Sequence, residues 1–128
     1  MALAEAAAVV GSRDARLIVG HIADWTPSEL ALHGDEPINA KCQASIDARV
    51  ARRANGEPLQ YVLGSWGFRR LDLYVDRRVL IPRPETETVV EIALAALRAL
   101  RVDGDPPLVV DLGTGSGAIA LSIADEVP

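Results

Sequence analysis

Apolar positions in the first half of the chain recur at helical spacing and are punctuated by residues that start or stop helices. Leu3 to Val10 is alanine-rich and predicts a helix; Gly11 breaks it, and Ser12 is placed to cap a second helix carrying Leu17, Ile18, Ile22 and Trp25. Thr26-Pro27-Ser28-Glu29 has the form of a capping box with proline at the first helical position, which predicts a short third helix ending near Gly34. A fourth helix is expected after Pro37. Its Ile38, Cys42, Ile46 and Val50 recur every four residues, Lys41, Asp47, Arg49, Arg52 and Arg53 lie mostly off that stripe, and Asn55-Gly56 closes it. Four helices of this size make a small bundle with little core of its own.

From Tyr61 to Val79 the period shortens. Tyr61-Val62-Leu63 and Leu71 to Asp76 show β-type alternation, with Gly64 and Gly67 as bends and Arg69-Arg70 at a turn, which predicts a β-hairpin. Two prolines in Ile81-Pro82-Arg83-Pro84 remove two N–H donors and fix two φ angles, so no helix starts before Pro84. Glu85-Thr86-Glu87 then sets negative charge at the start of a helix with two adjoining rows, Val90, Leu94 and Leu97 beside Val89, Ala93, Ala96 and Leu100. That helix is expected to end before Asp103-Gly104-Asp105-Pro106-Pro107. A buried strand is expected from Leu108, leading into a glycine-rich turn and a further helix. The fold class is therefore α+β: a helical bundle, a hairpin connector, and a helix-strand-helix segment.

Composition narrows the class. A 49% apolar share with both charge signs describes a globular chain, and no apolar run approaches the roughly 18 residues that span a bilayer. Met1-Ala2-Leu3-Ala4-Glu5 lacks the basic start of a secretory signal, so a cytoplasmic location is expected. Cys42 is the single cysteine, excludes an internal disulfide, and is expected as a small core residue. His21 and His33 are isolated from each other and from Cys42, so no metal site is expected. Charge is unevenly spread: eight acids and six bases in residues 1–58, two acids and five arginines in 59–84, eight acids and two arginines in 85–128. The acidic balance is unlike a nucleic-acid-binding face, while Arg69, Arg70, Arg77 and Arg78 form a candidate basic docking patch.

The chemistry concentrates at Val109-Val110-Asp111-Leu112-Gly113-Thr114-Gly115-Ser116-Gly117-Ala118. Glycines at the end of a strand permit positive φ and let the backbone approach a ligand that a Cβ would repel, and the following helix presents unpaired N–H groups. Gly113-x-Gly115-x-x-Ala118 also satisfies a loose dinucleotide fingerprint. The third glycine at Gly117 and the carboxylate of Asp111 favour S-adenosylmethionine: an acid there can accept from an ammonium group or brace the loop, whereas it would repel a pyrophosphate. Ser116 has no downstream histidine and acid to complete a hydrolase triad.

The order of three segments carries a resemblance. Gly56-Glu57-Pro58-Leu59-Gln60-Tyr61-Val62-Leu63-Gly64, then Leu80-Ile81-Pro82-Arg83-Pro84-Glu85-Thr86-Glu87, then Asp111-Leu112-Gly113-Thr114-Gly115-Ser116-Gly117, behind a helical domain, resembles the N-terminal part of the peptide chain release factor glutamine methyltransferases. The resemblance implies a helical substrate-recognition domain at 1–57, a hairpin connector at 58–84, and at 85–128 the start of a class I, Rossmann-like methyltransferase domain. It implies S-adenosylmethionine as cofactor, a release factor as protein partner, and methylation of the glutamine amide in a Gly-Gly-Gln motif. Asp111, Gly113, Thr114, Gly115, Ser116 and Gly117 then hold the cofactor; Leu80, Arg83, Pro84, Glu85 and Thr86 are candidates for shaping the pocket, with Leu80 toward the substrate.

The family's catalytic Asn-Pro-Pro-Tyr motif does not occur in these 128 residues, nor does the acid expected roughly 20 positions after the glycines to bind ribose hydroxyls. No catalytic residue is therefore assigned in this chain. It is expected to be the front part of an enzyme and inactive by itself. Two other readings fit the same residues: a partner-binding module without chemistry, and a nucleic-acid base-amine methyltransferase.

Overall fold

A computed structural model describes residues 2–100 and 108–127, so the expected helix end at Asp103 to Pro107 lies outside the described residues. The chain divides into two compact units, Met1–Leu63 and Gly64–Pro128.

The first unit contains α1 (Ala2–Val10), α2 (Ser12–Ala23), α3 (Pro27–His33), α4 (Ala40–Ala54) and α5 (Leu59–Leu63). α1 packs on α2 and α4, and α5 on α4 and α2. Ala2, Ala6 and Ala15 are buried in the same cluster as Ile18, Val19, Ile46 and Val62, so the alanine-rich start lets helices approach closely around a few larger side chains. Capping follows the local sequence, with one difference. Thr26 Oγ1 accepts the Glu29 N–H at 3.3 Å while Glu29 Oε2 accepts the Thr26 N–H at 2.8 Å, completing the capping box. Ser12, expected as a cap, is instead the first helical residue; Gly11 stands at the N-cap, because its φ of 82° turns the chain between α1 and α2 without a side-chain bond. Asn39 caps α4 by accepting the Cys42 N–H at 2.9 Å, and Cys42 is only half-buried beside it.

α4 closes in a Schellman turn, with Glu57 N–H bonded to Arg52 O and Gly56 N–H to Arg53 O. The chain then enters α5 through Pro58, whose carbonyl accepts from Tyr61 and Val62. Tyr61-Val62-Leu63, expected as a strand, is thus helical. Its β-type composition yields to a proline-started helix that buries Leu59 and Val62.

In the second unit β1 (Ser65–Phe68) pairs antiparallel with β2 (Leu71–Tyr74), Phe68 opposite Leu71, leaving Arg69-Arg70 as a two-residue turn. Gly67 lies within β1 and so is no bend. Phe68, Leu73 and Val75 are buried while Asp72 and Tyr74 are exposed, the alternation of a hairpin covered on one face. That face shares a core with α6 (Thr86–Leu100) and α7 (Ala118–Glu126). Val90, Leu94 and Leu97 of α6 are buried, whereas Val89 and Leu100 of the adjoining row are exposed. Leu108 to Val110 is also exposed and in no strand, against the expectation of a buried strand. A strand exists only against a neighbour that takes up its hydrogen bonds, and the described residues offer these none. Among the described residues no helix is long and apolar enough to cross a membrane.

Candidate functional site

The glycine-rich turn has the backbone that its residues require. Gly113, Gly115 and Gly117 take φ of 78°, 58° and 82°, all in the left-handed region where a Cβ is costly. The Gly117 N–H donates to Thr114 O at 2.9 Å, and Gly117 O accepts the Leu121 N–H at 2.8 Å, so the turn is continuous with the first turn of α7. Gly117 is the N-cap of that helix and has no side chain to satisfy its first N–H groups. A Cβ at Gly113 would meet nothing within 4 Å, which leaves open space on that side of the loop. Thr114 is exposed and Ser116 half-buried.

Asp111 precedes the turn and is half-buried, and its Oδ2 atom is shut off from water without a hydrogen-bond partner. A carboxylate oxygen in that state is costly, and a cationic or N–H donor would satisfy it. The orphaned oxygen, the three left-handed glycines and the open side of the loop fit a small ligand that carries an ammonium group and lies against backbone. The amino-acid part of S-adenosylmethionine has that character; a pyrophosphate does not.

The second set of expected site residues lies at the entrance to α6. Pro82 is buried, while Leu80 is 73% exposed and Arg83, Pro84 and Glu85 are exposed. The carbonyls of Arg83, Pro84 and Glu85 accept the N–H groups of Thr86, Glu87 and Thr88 at 3.0, 3.0 and 3.2 Å. These tight turns make the segment a rigid helix start, with Thr86 half-buried as its first helical residue. α6 and α7 pack together, but among the described residues no hydrogen bond or ion pair joins 80–86 to the glycine turn.

The pairing within two clusters was not foreseen from the sequence. Glu57 is buried and takes both fork nitrogens of Arg52, Nε at 2.8 Å and Nη2 at 2.7 Å, while Arg53 bonds Asp14 at 2.7 Å. The Arg52 guanidinium is held above its usual range chiefly by that bond to Glu57. The second cluster surrounds Arg69. Its Nε and Nη2 reach Glu126 at 2.6 and 2.9 Å, its Nη2 reaches Glu91 at 2.6 Å, and its backbone N–H reaches Glu87 Oε1 at 3.2 Å. Arg78 donates to Asp76, whose carboxyl is pulled down to about 2 by that guanidinium. Of the candidate basic docking patch, Arg69 is 11% exposed and turned inward to acids, while Arg70, Arg77 and Arg78 are exposed, Arg70 lying 3.6 Å from Asp125 and Arg78 paired with Asp76. Charge counting along the sequence missed the partners of Arg69 and Arg70 because those acids come from α6 and α7. An arginine at a hairpin turn flanked by two acidic helices was the only available signal.

Among the described residues no group of three His, Cys, Asp or Glu side chains is arranged to hold a metal ion. Comparison with known proteins gives consistent results. The family model described as the PrmC N-terminal domain matches residues 2–64. The release factor glutamine methyltransferases of Burkholderia pseudomallei and Chlorobaculum tepidum are 46% and 40% identical to this chain over 115 residues, covering 90% and 89% of it and 39% of each relative. That of Streptomyces coelicolor is 54% identical over 89 residues, 66% of this chain and 31% of the relative. The chain thus spans about two fifths or less of the length of these curated relatives.

Proposed function

Because the chain belongs to the release factor glutamine methyltransferase family, we propose that the protein, at the length of its relatives, methylates the side-chain amide nitrogen of the glutamine in a release factor's Gly-Gly-Gln motif. S-adenosylmethionine supplies the methyl group as an electrophile on a sulfonium; the amide nitrogen gains the methyl and loses a proton, and the thioether leaves. The observation that carries the cofactor assignment is the unpartnered Asp111 oxygen ahead of three left-handed glycines. In this reading Asp111 accepts from the ammonium group. Gly113, Thr114, Gly115, Ser116 and Gly117 bring backbone against the ligand, and the rigid Arg83-Pro84-Glu85-Thr86 start of α6 bounds the pocket with Leu80 toward the substrate.

An amide nitrogen is a poor nucleophile, so the enzyme must align it with the methyl and hold its N–H groups. No Asn-Pro-Pro-Tyr motif for that task occurs in these 128 residues. We therefore assign residues 85–128 to the start of a Rossmann-like methyltransferase domain, 1–57 to substrate recognition and 58–84 to the connection, in a protein acting in the cytoplasm. The 128 residues alone are expected to transfer no methyl group and to bind S-adenosylmethionine weakly.

The test is transfer of labelled methyl from S-adenosylmethionine to release factor and, in parallel, to DNA, using the protein at its relatives' length. Label on the release-factor glutamine supports the reading; label on DNA alone, or on neither, refutes it. Gly115→Val is expected to abolish cofactor binding, since a β-branched side chain opposes φ of 58° and fills the ligand's approach. Cys42→Ala should leave binding unchanged.

A further inference from the structure

Arg69 is one of two non-glycine residues with positive φ among those described, at 52° in the first position of the hairpin turn. Glycine or asparagine would occupy that position at lower cost, so an arginine there needs a compensating role for its side chain. The side chain makes contacts that no residue at an ordinary turn makes. Its fork spans Glu126 in the last turn of α7, 57 residues away in sequence, and also reaches Glu91 on α6.

α7 needs such a partner. It has nine residues, too few to be stable as a helix by themselves, and buries only Ala118, Ser122 and Ile123. Its last turn holds Asp125 and Glu126 and no basic residue, the wrong sign for the negative end of a helix dipole. Arg69 supplies the missing cation from another element. The other end of the same helix is Gly117, the residue that closes the glycine turn.

We propose that Arg69 is a positioning residue for the glycine turn: by gripping Glu126 and bracing against Glu91 it fixes the register of α7, and α7 carries Gly117 and the turn into place. Apolar contacts at Ala118 and Ile123 hold α7 against α6 but resist sliding weakly, whereas a planar fork on a carboxylate has a defined direction and distance. The relevance to cofactor binding rests on the function proposed above; the mechanical link does not.

The experiment is amide hydrogen exchange on the full chain, read at Gly117, Leu121 and Ile123 with Leu94 and Leu97 of α6 as reference, in Arg69→Gln, Arg69→Gly, Arg69→Lys and Glu126→Gln. Arg69→Gly removes the side chain while relieving the left-handed backbone. Both Arg69→Gln and Arg69→Gly are expected to speed exchange at the α7 amides by about tenfold, Glu126→Gln by less, and Arg69→Lys to restore part of the protection, with the α6 amides unchanged. S-adenosylmethionine titrated into the same variants made at the relatives' length should bind several-fold more weakly. Unchanged α7 exchange, equal acceleration in α6, or wild-type behaviour of Arg69→Gly would each overturn the proposal. Failure of the unsubstituted protein at its relatives' length to bind S-adenosylmethionine would refute the cofactor assignment and leave the exchange result to decide the role of Arg69.

Discussion

Glu57 and Asp111 are both carboxylates with oxygen withdrawn from water, and they differ in what meets them. Glu57 receives the Arg52 fork at the close of α4, so Glu57→Ala should lower the stability of the helical unit by about 2 kcal/mol in urea unfolding followed by circular dichroism. A loss within about 0.5 kcal/mol would mean the pair is a surface contact of no consequence. Asp111 has an oxygen with no partner, so Asp111→Asn is expected to leave the melting temperature unchanged or raise it while weakening S-adenosylmethionine binding. A stabilising change that costs affinity marks a group kept for a ligand. A fall in both would make Asp111 a structural residue. Both carboxylates stand in segments singled out from the sequence, yet only Asp111 was identified as chemically important. The glycines beside it signal a site locally, whereas burial of Glu57 depends on how α4 and α5 pack.

At the scale of elements, the sequence was informative wherever the cause is local. The Thr26 capping box, the Asn55-Gly56 stop and the Val90, Leu94 and Leu97 stripe all appear as expected, because each is decided within four or five neighbouring residues. Tyr61 to Leu63 went the other way: three residues are too few to show a period, and Pro58 decided the conformation. The strand at Leu108 could not be decided locally at all, since a strand is a relation between two segments. The closeness of Leu3 on α1 to Gly34, the C-cap of α3, was equally hidden. A Cβ built on Gly34 would come within 2.5 Å of Leu30 O and 2.9 Å of Leu3 Cδ2, so Gly34 is required for space although its φ of −61° suits any residue. Gly34→Ala is expected to cost about 1–3 kcal/mol through overpacking, read as a lowered midpoint of the same urea transition. An unchanged midpoint would show that α1 yields at no cost.

At the scale of the whole molecule, acid should act on the second unit through Glu126. Its carboxyl is held below the ordinary 4.5, chiefly by the bond from Arg69, so its stabilising effect is complete above that value and is lost as pH falls through the lowered folded value. The difference in melting temperature between the unsubstituted protein and Glu126→Gln should therefore be constant at neutral pH and shrink toward zero well below 4.5. A difference that persists into strong acid would mean that charge is not what Glu126 contributes.

The exposed apolar side chains of α6 have a practical corollary. Val89, Ile92 and Leu100 on that helix, with Leu108, Val110 and Leu112 before the turn, leave greasy side chains facing water at 50% to 90% of their full accessibility. A surface of that kind makes a colloidally unstable solute. The 128-residue chain should light up the dye ANS while its helices are intact, sediment as larger species as concentration rises, and be kept in solution by aspartate placed at Ile92 and Leu112.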